Sequence, residues 1–181
     1  ELMTECKDRM TLKQMAFMLA RQRNPYVVDD DDDISKIVSN EKLYEHYKNL
    51  GRELNVVEPK HPDQIFKTHL DDKRNRYGAA SVDHAKKNLA VTYVNAFVNA
   101  GFGSDLLISN QEANEDWVFK NKEDGQTAAA ASVGMLFLWD IDEGIAQIDK
   151  YMERREHDIV SGSFMGLGLV NSSITNENDP V

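Results

Sequence analysis

The sequence predicts an all-α protein, and three observations carry the prediction. Apolar residues recur at three- and four-residue steps along most of the 181 residues, and no segment alternates as a half-buried strand would. The stretch from Gln126 to Gly144, QTAAAASVGMLFLWDIDEG, sets four alanines and a glycine inside what must be a buried helix. Residues 129–138, AAASVGMLFL, align with 161–170, SGSFMGLGLV, at a period of 32, matching Ala130 with Gly162 and Gly134 with Gly166.

Leu12, Met15, Phe17, Met18 and Leu19 suggest a first helix ending near Asn24-Pro25, where proline blocks continuation. The five aspartates Asp29 to Asp33 read as a solvated acidic loop. A calcium-loop frame starting at Asp30 reaches Glu41 at its twelfth place, but it puts Ile34 on a ligand position and Ser35 where glycine is required. Leu43, Tyr47, Leu50 and Leu54 give a second amphipathic helix, with Gly51 weakening its last turn. A short helix is expected from Pro62 to Leu70, then a loop over Asp71 to Ser81. The longest helix carries Val82, Ala85, Leu89, Val91, Tyr93, Val94, Phe97 and Val98, with Ser81 as N-cap and Gly101 or Gly103 as its stop. A further helix around Glu115 to Lys120 carries Trp117 and Phe119.

The two repeat copies place small residues four apart, on one stripe of a helix where a neighbouring backbone can approach closely. A mid-helix glycine costs about 1 kcal/mol relative to alanine, so close packing must return more than that. In the first copy, Trp139 to Gly144 is expected to form a corner, and Ile145, Ile148, Tyr151 and Met152 the apolar face of a second helix. In the second copy the corner is NSSITNEND, with Asp179 and Pro180 as N-cap and first residue of the partner helix. A helix pair of this length that cannot bury its own apolar face is the unit of an α-solenoid. The expected division is a helical region over 1–125 flanking the first one to two repeats over 126–181; an ordinary bundle with one small-residue contact is the competing reading.

Composition narrows function by exclusion. With 31 acidic against 21 basic side chains the net charge is -10, which repels phosphate backbones and anionic membranes, so neither nucleic acid nor membrane is an expected partner. The longest apolar stretch, Ala128 to Trp139, falls well short of the ~20 residues that cross a bilayer. Cys6 is a single cysteine without an intramolecular partner, which points to a reducing compartment, cytoplasmic or nuclear. The polar start at Glu1 and the end at Val181 read as those of an excised piece.

No chemistry stands out. His46, His61, His69, His84 and His157 form no zinc pattern, and no glycine-rich loop is followed by the Lys-Ser/Thr of a phosphate cradle. Ser163 in GSFMG lacks the spacing of a nucleophile elbow, and Cys6 has no evident basic partner. The glycosylation triplet Asn171-Ser172-Ser173 reads as a helix corner. Neither catalytic residue, metal nor cofactor is expected.

The small-residue helix, followed by LWD, an acidic corner, Gly144 and QIDKY (147–151), resembles the proteasome/cyclosome repeats of the large non-ATPase scaffold subunits in the base of the 26S proteasome. Ser161-Gly162 and Gly168 to Asn171 continue the likeness. GRELNVVEPKHPDQIFKTHL, NLAVTYVNAFVNAGFG and WVFKNKEDG resemble the region flanking the first repeats in the subunit-one branch, which recruits ubiquitin-like domains. The likeness covers most of 41–181, and residues 1–40 match only loosely. It implies a non-catalytic scaffold whose repeats close into a toroid of two helix rings. Its implied partners are the proteasomal ATPase subunits, ubiquitin, and the ubiquitin-like domains of shuttle factors and a deubiquitinase. A repeat scaffold of another complex, the sister proteasome subunit or the anaphase-promoting complex, is the alternative, and WVFKNKEDG and PKHPDQIFKTHL argue against both.

Within that family an aliphatic residue followed by aspartate, with a glutamine one turn later, contributes to a site for the deubiquitinase's ubiquitin-like domain. Ile141, Asp142 and Gln147 match that pattern most nearly. With Glu143 and Gly144 they form the expected docking face, offering an aliphatic group beside carboxylates to a domain with an apolar patch ringed by basic residues. The alternative is that Asp142 caps the following helix, with Glu143 near its positive end.

Overall fold

The computed structural model describes residues 2–24, 31–66, 84–109 and 116–175, and those residues form ten α-helices and no strand. In chain order they are α1 (Leu2–Glu5), α2 (Arg9–Arg21), α3 (Asp32–Val38), α4 (Leu43–Glu53), α5 (Pro62–Phe66), α6 (His84–Val98), α7 (Trp117–Lys120), α8 (Asp124–Leu136), α9 (Ile141–Met152) and α10 (His157–Val170). The all-α expectation holds. The expected extension of α5 to Leu70, the loop over Asp71 to Ser81, the Ser81 cap, His69, and the Asp179-Pro180 cap lie outside the described residues.

The two repeat copies are α8 and α10, and they lie against each other. A Cβ placed on Gly134 would stand 2.1 Å from the Gly166 carbonyl oxygen, and one on Gly162 would stand 2.3 Å from the Thr127 carbonyl oxygen and 2.8 Å from the Ala130 methyl. Backbone therefore touches backbone along the stripe of small residues the sequence marks out. The register is parallel: Thr127 Oγ1 donates to the Asp158 carbonyl at 3.0 Å near the helix starts, and Trp139 N donates to the Val170 carbonyl at 3.1 Å near their ends. α9 must then return antiparallel between them, and it packs on both. Val118, Val133, Leu136, Phe137, Ile148, Ile159 and Val170 fill the core of this helix-pair stack.

The corner is shorter than expected. It runs from Phe137 to Asp140, and Gly144 belongs to α9, where it is buried. A Cβ there would meet Val170 Cγ2 at 2.9 Å and Phe137 Cβ at 3.1 Å, so Gly144 lets α9 close onto α10. On its outer side α10 leaves Phe164 and Met165 58% and 59% exposed beside Gly168, whose Cβ would meet nothing within 4 Å.

Gly101 and Gly103 follow α6, as its stop requires, at φ +69° and +71°. They also serve α8: Gly101 N donates to the Met135 carbonyl at 2.9 Å and Gly103 N to the Leu136 carbonyl at 2.8 Å, satisfying the free carbonyls at that helix's end.

Two expectations fail at the N-terminal side. The acidic run is not a solvated loop in its described part: Asp31 is the N-cap of α3, accepting from Ile34 N at 3.2 Å, and Asp32 and Asp33 occupy the first turn. Carboxylates at a helix start satisfy free N–H groups and face the positive end of the dipole. Arg9 then binds both Asp31 and Asp33, fastening α3 to α2. Leu50 in α4 and Leu54 just past its end are exposed, and Tyr44, Tyr47 and Lys48 face the protein instead. Tyr47 donates to the Ala100 carbonyl at 2.8 Å, and Lys48 to the Phe102 carbonyl at 3.0 Å. A Cβ on Gly51 would stand 2.5 Å from Val57 Cγ2, so a larger residue there would have to displace that side chain.

Candidate functional site

The residues singled out for docking sit on the first two turns of α9. Asp140, not Asp142, holds the N-cap position, and its side chain makes no capping bond. Asp142 is exposed on the first turn and is therefore free of the capping role. Ile141 is half-buried and packs against the core cluster. Successive helical residues are about 100° apart, so Asp142 and Glu143 point in different directions, whereas Glu143 and Gln147, four apart, share a stripe. Gln147 Nε2 donates to Glu143 Oε1 at 2.7 Å, and Lys150 donates to Gln147 Oε1. The structure thus joins Glu143, Gln147 and Lys150, turns Ile141 toward the core, and sets Asp142 to one side.

That polar ladder forms one rim of a cleft of about 600 Å³. Val133, Leu136 and Phe137 contribute its apolar lining, and Leu107, Ile108 and Ser109 line it from the segment after α6. Tyr151 donates to Asp116 Oδ2 at 2.9 Å at the same cleft, and Asp116 also caps α7 through Val118 N at 2.9 Å. Burial first, then the Asp116 charge, pushes the Tyr151 phenol far above its ordinary range, so it remains a neutral donor. Near the corner, burial together with the Asp140 carboxylate pushes Tyr44 up to about 12.

The segment that faces α9 is shaped by a buried carboxylate the sequence reading missed. Asp105, 5% exposed, accepts from Asn95 Nδ2 at 2.6 Å, Leu107 N at 3.0 Å, Ile108 N at 2.8 Å and Ser109 N at 2.6 Å. Asn95 in turn accepts from Asn99 Nδ2 at 3.0 Å, and Asn99 exchanges two bonds with the backbone of Lys60, at 2.8 and 2.9 Å. The available signal was two asparagines four apart, Asn95 on α6 and Asn99 just past its end, in a stripe where apolar residues are the usual occupants. Among the described residues no group of histidine, cysteine and carboxylate side chains could hold a metal ion, and no helix is long and apolar enough to cross a membrane. Ser163 Oγ, raised as a nucleophile and set aside, donates to the Ile159 carbonyl at 2.8 Å inside α10.

Comparison with known proteins gives the same outline. Residues 1–71 match the family model described as the RPN1 N-terminal domain. The chain is 46% identical over 192 residues to the 26S proteasome non-ATPase regulatory subunit 2 homolog A of Arabidopsis thaliana, covering 99% of this chain and 21% of that protein. It is 43% identical to the 26S proteasome regulatory subunit rpn1 of Schizosaccharomyces pombe, over 96% of this chain and 19% of that protein. It is 42% identical to the 26S proteasome non-ATPase regulatory subunit 2 of Dictyostelium discoideum, over 99% of this chain and 20% of that protein. The likeness extends through residues 1–40, which the resemblance read from the sequence matched only loosely. The chain spans about a fifth of the length of these relatives and, over almost its whole own length, is similar to the 26S proteasome non-ATPase regulatory subunits of the RPN1 type.

Proposed function

We propose that this chain is a non-catalytic scaffold segment of the proteasome regulatory particle base, with residues 1–125 flanking the first one to two repeats in 126–181. Its partners in this reading are the proteasomal ATPase subunits, ubiquitin, and the ubiquitin-like domains of shuttle factors and a deubiquitinase. Its setting is the cytoplasm and nucleus. The observation that supports the reading is the backbone contact between Gly134 and Gly166, because it stacks the first helices of the two repeat copies directly on each other, as a solenoid of helix pairs requires.

The docking face is the start of α9, where Asp142, Glu143 and Gln147 offer polar and anionic groups and Ile141 offers its uncovered edge. Ubiquitin-like domains with basic rims complement that charge, and exposed pairs of this kind support roughly micromolar affinity. A labelled ubiquitin-like domain titrated against the chain and against its Asp142→Arg and Glu143→Arg variants tests the site. Because the two carboxylates diverge, loss with one variant alone identifies which side of α9 is used. Equal binding by all three proteins removes the site.

A further inference from the structure

A second surface, on the opposite side of the sequence from α9, has the reverse charge. Helices α2, α3 and α4 enclose a groove of about 390 Å³. Its apolar strip is Phe17, Ile37 and Leu43, one residue from each helix, and Phe17 is 50% exposed. Among the described residues, Lys13, Lys36 and Lys42 line the groove against a single carboxylate, Asp33.

Two neighbouring acids, Asp32 and Asp33, are already engaged. Arg9 Nη2 holds Asp33 Oδ2 at 3.0 Å, and Lys36 Nζ holds Asp32 Oδ2 at 2.7 Å. Lys13 and Lys42 make no ion pair with any described residue. Two cations with no ion pair among the described residues therefore flank an apolar strip, in a chain whose net charge is -10. The wall is also fixed in place. Asn40 Nδ2, at the turn between α3 and α4, donates to the Ser173 carbonyl at 2.7 Å, and Thr175 N donates to the Ser39 carbonyl at 2.9 Å. A preformed groove loses less ordering entropy when it is filled.

We propose that this groove receives a short acidic segment of a partner protein, with one large apolar side chain of that segment seated between Phe17, Ile37 and Leu43. The volume accommodates a side chain and its flanking backbone, not the face of a folded domain. A nucleic acid or an anionic membrane would demand a broad basic surface, which the overall acidity of the chain opposes. Carboxylates on either side of the apolar residue would reach Lys13 and Lys42, supplying orientation and on-rate while the apolar anchor supplies residence time.

The test uses the whole chain and a fluorescein-labelled hexapeptide, Asp-Glu-Leu-Phe-Asp-Glu, followed by fluorescence anisotropy. Saturable binding is expected, weakening about tenfold when Lys13→Glu and Lys42→Glu are combined and about fivefold with Phe17→Ala. Both lysines lie on the rim, so an unchanged thermal melt of the double variant shows that folding is intact. Raising the salt from about 50 to about 300 mM should weaken binding without abolishing it, since the anchor is apolar. The proposal is overturned by equal affinity for a peptide with serines in place of leucine and phenylalanine, or by equal affinity of the double lysine variant. Competition by a heparin fragment as effective as the unlabelled peptide would also overturn it, because charge alone would then suffice, and so would no binding up to about 1 mM peptide.

Discussion

Gly134, Gly162 and Gly168 show how one residue type meets two opposite environments along a single stack. At Gly134 and Gly162 an added methyl would run into backbone that cannot step aside, at 2.1 Å and 2.3 Å, whereas at Gly168 it would enter open space. Gly134→Ala should therefore lower stability by about 3 kcal/mol or more, as overpacking against fixed atoms does. Gly168→Ala should raise it by about 0.5–1 kcal/mol through helix propensity alone. Urea unfolding of the two variants checks this, and a similar effect of both would contradict the backbone contact. Tyr44 carries a pH signature at the same scale. Its phenol is raised from 10.0 to about 12, so the neutral form is favoured in the folded state. Its contribution is fully present below pH 10 and is lost as pH rises toward 12. Ultraviolet titration of the wild type minus Tyr44→Phe should show a phenol ionising near 12, and stability should fall less steeply with rising alkaline pH in the variant.

At the scale of elements, the segment after α6 is held by one carboxylate instead of by regular secondary structure. Asp105→Ala would strand the Asn95 amide and three backbone N–H groups in a buried setting, with an expected loss of about 2–4 kcal/mol. Hydrogen exchange should rise first at Leu107, Ile108 and Ser109, and protection unchanged there would mean the backbone holds this shape without Asp105. Such a knot is scarcely legible in a sequence, because Asp105 reads as an ordinary loop acid until Asn95 is brought beside it. The register of α8 on α10 was legible, since small residues at a fixed interval leave few ways for two helices to approach. In the sequence Gly144 reads as part of a corner, because glycine after acidic residues is a turn signal; the tight approach of Val170 and Phe137 is what makes it a helical packing residue.

Across the whole molecule, the N-terminal helices are fastened to the corners of the repeats. Arg23 donates to Ser173 Oγ at 3.1 Å, Asn40 to the Ser173 carbonyl, and Trp139 Nε1 to the Ser172 carbonyl at 2.9 Å, while the Trp139 ring meets Tyr47 edge-on at 5.2 Å. Trp139 thereby links α4, the corner after α8 and the turn after α10. Trp139→Ala should increase hydrogen exchange in α4 and in residues 171–175 together, with a loss of about 3–5 kcal/mol for a large aromatic contact. Faster exchange confined to the corner itself would show that the N-terminal helices are held independently.

By itself the sequence determined the helical class, the 32-residue interval and the glycines at which two helices meet, because periodicity and side-chain size act between neighbours in the chain or between copies of one pattern. Only the tertiary structure decided that the acidic run starts α3, that Asp142 and Glu143 diverge on α9, and that lysines line an apolar groove. Those outcomes depend on partners such as Arg23 and Ser173, 150 residues apart, and the choice among distant polar partners is made by the packed backbone that brings them within hydrogen-bonding reach.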